Sequence, residues 1–273
     1  MSTEPEMVPA PLALVTGASS GIGLEIALRL AETGHDLVVT AEDDGLALAA
    51  DGLRQHGRAV RAVRADLRRP EDVEALVVDV VGTGRPLDLL VLNAGTGAGG
   101  PFLEVPLEDH LATIEVDVVA PVRLAHALLP AMVARGAGRV LVTSSVAALM
   151  PGPYYSTYAA AKAFDLSFAE ALRYELRDTG VTVTALLPGP TDTDFFERAG
   201  MQDTRVAHSR KDDPADVARQ AVDGLLKGDE KVVVRSVLAR GQAAAGALLS
   251  DGAGAALQAR ATEPTGSGGP DEG

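Results

Sequence analysis

The sequence contains no cysteine and no tryptophan, and only 3% of its 273 residues are aromatic. The lack of cysteine excludes disulfides, thiolate catalysis and cysteine-ligated zinc, and we predict no metal site. Because aromatic residues are few in a chain that is 47% hydrophobic, small and branched side chains must fill the core. Such a core is typical of a buried parallel sheet covered by helices.

Positive charge is also scarce, with 24 Lys and Arg against 38 Asp and Glu, a formal net charge of -14 and a pI of about 4.7. This balance repels phosphate backbones and anionic membranes, so we expect no nucleic-acid partner and no membrane partner. The sequence contains no run of 18 consecutive apolar residues, so it predicts no membrane-spanning segment. Acidic residues and prolines replace the basic region of a secretory signal near the N-terminus, so a cytoplasmic location is predicted.

Strand-like and helix-like segments alternate along the chain, which predicts an α/β fold with a doubly wound parallel sheet of seven strands and helices on both faces. We expect one domain over residues 11–260, a disordered lead-in over 1–10 and a disordered tail over 261–273. Residues 236–260 are weakly helical and have no predicted place. The predicted strands are Leu12–Val15, Leu37–Thr40, Val60–Ala65, Leu87–Asn93, Arg139–Ser144, Val181–Leu187 and Lys231–Arg235. The predicted helices include Gly45–His56, Pro70–Val81, Leu107–Arg135 interrupted at Pro121, Tyr155–Asp178 and Pro214–Leu226 capped by Asp213.

A glycine-rich stretch, Thr16–Gly23 with the sequence TGASSGIG, separates the first strand from an amphipathic helix. The first amides of a helix lack intrahelical partners and carry partial positive charge, which favours anions. Glycines in the turn allow positive φ and close approach of a pyrophosphate to the backbone. The stretch therefore predicts a dinucleotide site, and the alternative is a glycine-rich turn that binds no ligand.

The same residues contain a second motif, because Gly17–Gly21 also fits G-x-S-x-G, the nucleophile turn of α/β-hydrolases. That motif follows several strands in hydrolases, whereas here it follows the first. No HGGG segment precedes it to form an oxyanion hole, although Asp192 and His208 could in principle partner Ser19. The hydrolase interpretation predicts ester cleavage that is lost in the variant Ser19→Ala.

Tyr158 and Lys162 have i, i+4 spacing at the start of a predicted helix, which places the phenol and the ammonium on one face. A nearby cation favours the phenolate and lowers the pKa of the tyrosine from its usual value near 10. The pair can thus serve as a general acid and base, whereas taken alone it would more commonly be a solvent-exposed pair. Ser145 follows the preceding strand at the carboxyl edge, where doubly wound sheets bind ligands.

Together these motifs resemble the short-chain dehydrogenase/reductase family in its single-domain form of about 250 residues. The similarity spans residues 12 to about 235 and keeps the family's order and spacing. The matching segments are Thr16–Gly23, Asp66-Leu67, Asn93–Gly95, Ser144-Ser145, Tyr158 to Lys162 and Pro188–Thr191.

The resemblance implies hydride transfer between a nicotinamide cofactor and an alcohol or ketone, a small-molecule substrate. It implies that Tyr158 is the acid/base, that Lys162 lowers its pKa and holds the nicotinamide ribose, and that Ser145 orients the substrate oxygen. The implied cofactor contacts are Gly17, Ser19, Ser20, Gly21, Ile22 and Gly23 at the pyrophosphate, Asp66, Leu67, Asn93, Ala94 and Gly95 near the adenosine, and Pro188, Gly189 and Thr191 at the nicotinamide.

Two residues depart from the family's pattern. Asp117 stands where the family usually has Asn, the fourth member of its proton relay, and an ionised Asp cannot donate a hydrogen bond. Pro121, four residues later, lacks the N–H that would bond the Asp117 carbonyl in an α-helix. We therefore hypothesise that Pro121 kinks the helix and frees this carbonyl to hold the relay water. A kink at a subunit contact is the alternative.

The choice of cofactor depends on the end of the second strand, which reads Thr40–Asp44 with three acids and no base. A ribose diol prefers an acidic acceptor, whereas the 2′-phosphate of NADP prefers Arg or Lys. Ala41 takes the family's usual acidic position, so Glu42 would accept the diol. NAD is therefore favoured over NADP.

Substrate identity is the least determined feature. Leu149, Met150, Tyr154 and Tyr155 precede the catalytic tyrosine and could line an apolar pocket. Phe195, Phe196 and Met201 lead into the segment 205–208, which is long enough to form a lid over the site. The resemblance implies a homo-oligomer, a dimer or tetramer built on the two long helices. The alternative function is a catalytically idle dinucleotide-binding regulator, supported only by Asp117.

Overall fold

The computed structural model describes residues 10–234 and 250–264, and within them seven strands form one fully parallel sheet. The strands are β1 Leu12–Thr16, β2 Asp36–Ala41, β3 Val60–Arg64, β4 Leu87–Leu92, β5 Gly138–Thr143, β6 Val181–Leu187 and β7 Lys231–Val233. Each lies within one or two residues of its predicted position. The doubly wound parallel sheet predicted from the sequence is confirmed.

Helices connect the strands. Because the strands are parallel, each connection leaves the sheet at its carboxyl edge and returns to it at its amino edge. The helices are α1 Gly21–Glu32, α2 Gly45–Arg54, α3 Pro70–Val81, α4 Leu107–Ile114, α5 Ala120–Arg135, α6 Ser156–Glu175, α7 Phe195–Arg198, α8 Pro214–Lys227 and α9 Asp251–Thr262. Asp213 caps α8 as predicted, because its carboxylate accepts a hydrogen bond of 2.9 Å from the Ala215 amide.

The sheet separates two hydrophobic cores. On one face α1, α2 and α8 pack with side chains such as Ile26, Leu30 and Val222. On the other face α3, α5 and α6 pack with side chains such as Leu124 and Met132. Alternate residues of each central strand enter opposite cores, which explains why β1 and β4 are nearly continuous apolar runs.

The strand order is β3-β2-β1-β4-β5-β6-β7, so β1 pairs with both β2 and β4. The chain winds in opposite directions from this point, which opens a crevice beyond the carboxyl ends of β1 and β4. The glycine-rich stretch follows β1 and Asn93–Gly95 follows β4, so both predicted cofactor segments meet at this crevice.

The region Leu107–Arg135 does not break at Pro121. Instead α4 continues into one turn of π-helix, Glu115–Val119, and then into α5. The Ala120 amide donates to the Glu115 carbonyl five residues back, so the extra residue is absorbed just before the proline, which has no amide to donate. The predicted interruption at Pro121 is therefore observed as a π-turn that ends two residues before the proline.

The same region is the one stretch of the described chain whose length and composition would suit a membrane-crossing helix, with mean hydropathy 1.5. Core helices of soluble proteins pass the same test. Here Leu124, Leu128 and Met132 pack into the core beside the sheet.

The C-terminal part differs from its prediction. Residues 251–262 form α9, and Ala261 and Thr262, which were predicted to begin a disordered tail, belong to this helix. Thr262 bonds the Pro153 carbonyl at 2.8 Å. The predicted segments 1–9, 235–249 and 265–273 lie outside the described residues.

Candidate active site

The turn between β1 and α1 has the shape of an anion cradle. Gly17 and Gly21 have φ of +67° and +56°, which side chains rarely adopt. A Cβ on Gly17 would lie 2.8 Å from the Ala94 Cα, and one on Gly23 would overlap the Gly17 carbonyl oxygen. Glycine is therefore required at these positions for the two loops to approach each other and leave space over the helix.

The first amides of α1 are left without a side-chain cap. Ser20 occupies the N-cap position but does not cap the helix, and its hydroxyl instead accepts a hydrogen bond of 2.8 Å from Arg198. Arg198 is the last residue of α7, the short helix that begins at Phe195. The amides stay available for a pyrophosphate, and an arginine from the segment after β6 lies beside them.

Asn93 joins the β1 and β4 loops. Its side-chain amide donates to the Thr16 carbonyl at 3.1 Å, while its backbone amide and that of Ala94 both donate to the Thr16 hydroxyl at 2.9 Å. Thr143 at the end of β5 donates to the Asn93 side-chain oxygen at 3.2 Å. These bonds fix the floor of the crevice.

One cavity of about 750 Å³ runs from this floor across the carboxyl edge of the sheet. Every residue that the sequence assigned to the cofactor lines it, and so do the three residues assigned to catalysis other than Asp117. The lining includes Gly17, Ser19, Ser20, Gly21, Ile22, Gly23, Glu42, Asp66, Leu67, Asn93, Ala94, Gly95, Pro188, Gly189 and Thr191, together with Ser145, Tyr158 and Lys162. These residues fit a dinucleotide, because a glycine cradle with free helix amides opens into the same cavity as a phenol and an ammonium.

At the end of the cavity near β2 and β3, an arginine joins two predicted cofactor residues. The Arg68 guanidinium donates to Glu42 at 2.8 Å and to both carboxylate oxygens of Asp66 at 2.8 Å. The hydrogen bond from Arg68 lowers the pKa of Asp66. Arg64 bonds the Glu42 carbonyl and pairs with Asp44 at 2.6 Å. Two arginines, Arg64 and Arg68, thus pair with the acidic residues at the end of β2, and the sequence did not predict these contacts.

Ser145 and Tyr158 face the cavity from consecutive elements. Ser145 precedes a short 3₁₀ helix, Val146–Leu149, and its hydroxyl accepts a hydrogen bond of 3.1 Å from the Ala147 amide. Tyr158 lies in the first turn of α6, where its ring contacts Phe195 with centroids 4.9 Å apart. Just before α6, Tyr154 has φ of +64°, and its carbonyl accepts from the Gly100 amide at 2.7 Å. This unusual backbone sets the direction in which α6 begins.

Lys162 lies one turn after Tyr158 and is almost completely buried among oxygen atoms. Its Nζ is 2.9 Å from Asp117 Oδ2, 3.0 Å from Asp165 Oδ2 and 3.1 Å from the Thr143 carbonyl. Asp117 belongs to the π-turn, and its other oxygen accepts from the Thr96 amide at 2.8 Å. Asp117, the predicted relay residue, is therefore a direct ion-pair partner of Lys162 and lies behind it, outside the cavity lining.

The charges around Tyr158 and Lys162 are more complex than those of an isolated lysine–tyrosine pair. Burial raises the pKa of Tyr158; the Lys162 charge lowers it as predicted, but Asp117 raises it again, and the net direction is upward. Burial would lower the pKa of Lys162, yet Asp117 and Asp165 together raise it. Burial raises the pKa of Asp117 and brings that of Asp165 to about 6 against the effect of Lys162. At neutral pH the phenol is protonated.

An apolar pocket adjoins Tyr158. Tyr155, Phe196, Met201 and Ala147 form a small buried cluster, and Phe195 and Val206 pack against it. Of the four residues predicted to line an apolar pocket, Tyr155 lines the cavity, whereas Leu149, Met150 and Tyr154 do not. Phe195, Phe196 and Met201, which were predicted to belong to a lid, also line it. Two residues of α9, Gln258 and Thr262, also line it, which the sequence did not reveal.

The observed hydrogen bonds of Ser19 and Asp192 differ from those that the hydrolase interpretation requires. The Ser19 hydroxyl donates to Asp43 at 2.6 Å. Asp192 pairs instead with Lys211 at 3.5 Å. Ser19 therefore lies in the glycine-rich turn that lines the cavity and is paired with Asp43.

Comparison with known proteins agrees with this geometry. The family model for short chain dehydrogenase matches residues 11–204. A 1-deoxy-11-beta-hydroxypentalenate dehydrogenase of Streptomyces avermitilis is 38% identical over 221 residues, 80% of this chain and 81% of that protein.

Solved structures show the same fold. A short-chain dehydrogenase from Sphingobium yanoikuyae in complex with NADPH has a TM-score of 0.78 and 35% identity, covering 87% of this chain and 93% of that one. A short chain dehydrogenase/reductase from Burkholderia phymatum in complex with NAD has a TM-score of 0.78 and 26% identity, covering 86% and 93%.

The chain belongs to the short-chain dehydrogenase/reductase family. It is an oxidoreductase that uses a nicotinamide dinucleotide to interconvert an alcohol and a carbonyl compound. The alternatives of a hydrolase and of an idle regulator are set aside on these findings.

Proposed function

We propose that Tyr158 transfers the proton, Ser145 orients the substrate oxygen and Lys162 holds the nicotinamide ribose in this reaction. The observation that carries the proposal is the common cavity in which all three residues meet the glycine cradle. The cofactor supplies the chemistry of hydride transfer. Within the protein, the Tyr158 Oη donates a proton to the carbonyl oxygen in reduction and receives it from the hydroxyl in oxidation.

Burial raises the pKa of Tyr158 and so favours its protonated form. A protonated phenol is the form required to donate to a carbonyl oxygen, whereas alcohol oxidation requires the phenolate. Oxidation should therefore gain relative to reduction as the pH rises.

We propose a ketone or secondary alcohol on a bulky, mostly apolar skeleton as the substrate class. Aromatic and thioether side chains beside Tyr158 support it, namely Tyr155, Phe195, Phe196 and Met201. The hydroxypentalenate dehydrogenase relative, whose name gives a hydroxylated substrate, agrees with this class.

We propose NAD as the preferred cofactor. Glu42 and Asp43, just after β2, line the cavity, and Glu42 is the proposed acceptor of the ribose diol. Arg68 already pairs with Glu42 and Asp66, so its charge is partly neutralised and is less able to attract a 2′-phosphate.

We also propose a soluble, cytoplasmic homo-oligomer, a dimer or tetramer. Leu111, Ile114 and Val122 project from the region Leu107–Arg135 as exposed apolar side chains. A shallow groove beside them runs between the π-turn and α6. These features support packing of this face against a second copy.

The central experiment compares reduction of bulky ketones by wild type and by the variant Tyr158→Phe, with NADH and with NADPH. Loss of the phenolic proton should lower kcat by about 10²- to 10⁴-fold while cofactor binding persists. Tyr174→Phe, on the exposed side of the same helix, is the matched control and should keep full activity. Unchanged kcat in Tyr158→Phe would refute the proposed proton transfer.

A further inference from the structure

Two carboxylates share one ammonium behind the proposed catalytic tyrosine. Asp117, Lys162 and Asp165 are 0%, 4% and 2% exposed. Lys162 Nζ donates hydrogen bonds to Asp165 and to the Thr143 carbonyl and forms an ion pair with Asp117, all within 3.1 Å. These three protein oxygens compete with a ribose hydroxyl for the three N–H groups of the ammonium.

The charge of this cluster is not balanced. If both carboxylates are ionised, the buried cluster carries a net charge of −1, and an uncompensated buried charge is costly. The cluster can become neutral by holding one proton on a carboxylate. Two carboxyl groups that share a site commonly do so.

Asp165 is the better position for that proton. Each carboxylate has one buried oxygen that makes no hydrogen bond within the described structure, Asp117 Oδ2 and Asp165 Oδ1. Asp117 Oδ2 nevertheless lies 2.9 Å from Lys162 Nζ, and Asp117 Oδ1 accepts from the Thr96 amide, which stabilises the ionised form. Asp165 Oδ1 has neither kind of contact. Burial also brings the pKa of Asp165 to about 6. Asp117 thus serves as the permanent counter-ion, and Asp165 is the member that titrates.

The groups facing Lys162 come from four parts of the fold. Tyr158 and Asp165 lie on its own helix, with Nζ 5.7 Å from the centre of the Tyr158 ring. Asp117 faces it from the π-turn and the Thr143 carbonyl from the end of β5. Gly95 crosses the same side, where a Cβ would lie 3.1 Å from Nζ.

We propose that Asp165 is a positioning residue that competes with the cofactor ribose for the Lys162 ammonium. Ionised, Asp165 holds the ammonium; protonated, it releases one N–H donor of Lys162 toward the cavity. The inference deepens the proposed function and rests on the role of Lys162 as the holder of the ribose.

The sign of the pH dependence follows from this competition. At a pH below the pKa of Asp165 the cluster is neutral, and Lys162 can donate a hydrogen bond to the ribose. At a pH above that pKa the cluster is negatively charged, and the ionised Asp165 keeps the Lys162 ammonium. Cofactor affinity should therefore fall as the pH rises through the titration, and removing the Asp165 charge should abolish that fall.

The test is a fluorescence titration of wild type, Asp165→Asn and Glu170→Gln with NADH and with NADPH between pH 5 and pH 8. We expect Kd of wild type to rise about tenfold across this range and that of Asp165→Asn to stay nearly constant. Glu170→Gln changes an exposed carboxylate on the same helix and should behave as wild type. Equal pH dependence of Kd in wild type and Asp165→Asn would overturn the inference.

A second measurement detects the proposed proton directly in the wild type without cofactor. Infrared spectra of the cofactor-free wild type with carbon-13-labelled aspartate should show a buried protonated carboxyl band that disappears on raising the pH through about 6. Absence of such a band at pH 5 would refute the proton on Asp165. If instead the band titrates but Lys162→Met binds cofactor as tightly as wild type, the proposed role of Lys162 fails.

Discussion

At the scale of single residues, the most consequential feature is a carboxyl group whose folded-state pKa is raised. Asp165 has a pKa of about 6 in the fold because of burial, against an ordinary value near 4. The folded protein therefore holds this proton more tightly than the unfolded chain. The resulting stability is complete below the ordinary value and is lost as the pH rises through the folded value.

This linkage predicts how Asp165→Asn alters stability. Between pH 4 and pH 7.5, wild type should lose on the order of 2 kcal/mol of unfolding free energy relative to the variant. Urea unfolding at several pH values measures the difference, and taking it between the two proteins cancels the other titrating groups. Parallel stability–pH curves would contradict the prediction.

Glu42 offers a second residue-scale prediction, on cofactor choice. Glu42→Ala removes the proposed diol acceptor and also frees one side of the Arg68 guanidinium, which now lies 2.8 Å from that carboxylate. Preference should shift by about tenfold toward NADPH, as judged from the ratio of kcat/KM values.

The matched control for that shift is Asp44→Ala. Asp44 pairs with Arg64 and is almost fully exposed, so its removal should leave the ratio nearly unchanged. A wild type that already prefers NADPH would instead show that Arg68 dominates over the acidic cluster.

At the scale of elements, the β1–α1 turn allows a sharp test of backbone approach. A Cβ on Gly23 would overlap the Gly17 carbonyl and lie 2.5 Å from the Asn93 side-chain amide. Gly23→Ala should weaken cofactor binding by about tenfold or more, measured by fluorescence titration with NADH.

The contrasting variant is Gly52→Ala in α2, where a new Cβ would meet nothing within 4 Å. This glycine lies in an exposed helix interior, so alanine there should stabilise the protein by about 0.5–1 kcal/mol. If both variants bound the cofactor equally well, the close approach of the two loops would have no role in binding.

The elements that the sequence predicts well are those whose causes are local. The apolar runs of β1 and β4, the glycines of the turn and the Asp213 cap each act within a few residues, and they were placed within two residues of their observed ends. The i, i+4 spacing likewise indicated that Tyr158 and Lys162 share a face.

The features that escaped prediction depend on contacts between distant segments. Arg68 reaches Glu42 across the ends of two strands, and α9 lies outside the matching motifs. The π-turn beside Asp117 resulted from a proline whose effect was expected to be a kink. Asp165 did have a local signal, an acid three residues after Lys162 among apolar neighbours, and this pattern indicates a buried ion pair.

At the scale of the whole molecule, the net charge of −14 and the apolar face of Leu107–Arg135 act in opposite directions on association. Two copies repel each other at long range, but salt screens such repulsion within about 10 Å at ordinary ionic strength. Burial of apolar side chains gains about 25 cal/mol per Å² regardless of salt. The exposed face should therefore decide the assembly.

The corresponding prediction concerns Leu111 and Ile114, which are 50% and 38% exposed on α4. The double variant Leu111→Lys with Ile114→Lys should lower the molecular mass found by sedimentation to that of a single chain, because each charge would have to be desolvated in the interface. Leu48→Lys, at an exposed position on α2, introduces the same charge on another surface and should leave the mass unchanged. A wild type that sediments as a monomer at micromolar concentration would refute the proposed oligomer, and with it the role of this face.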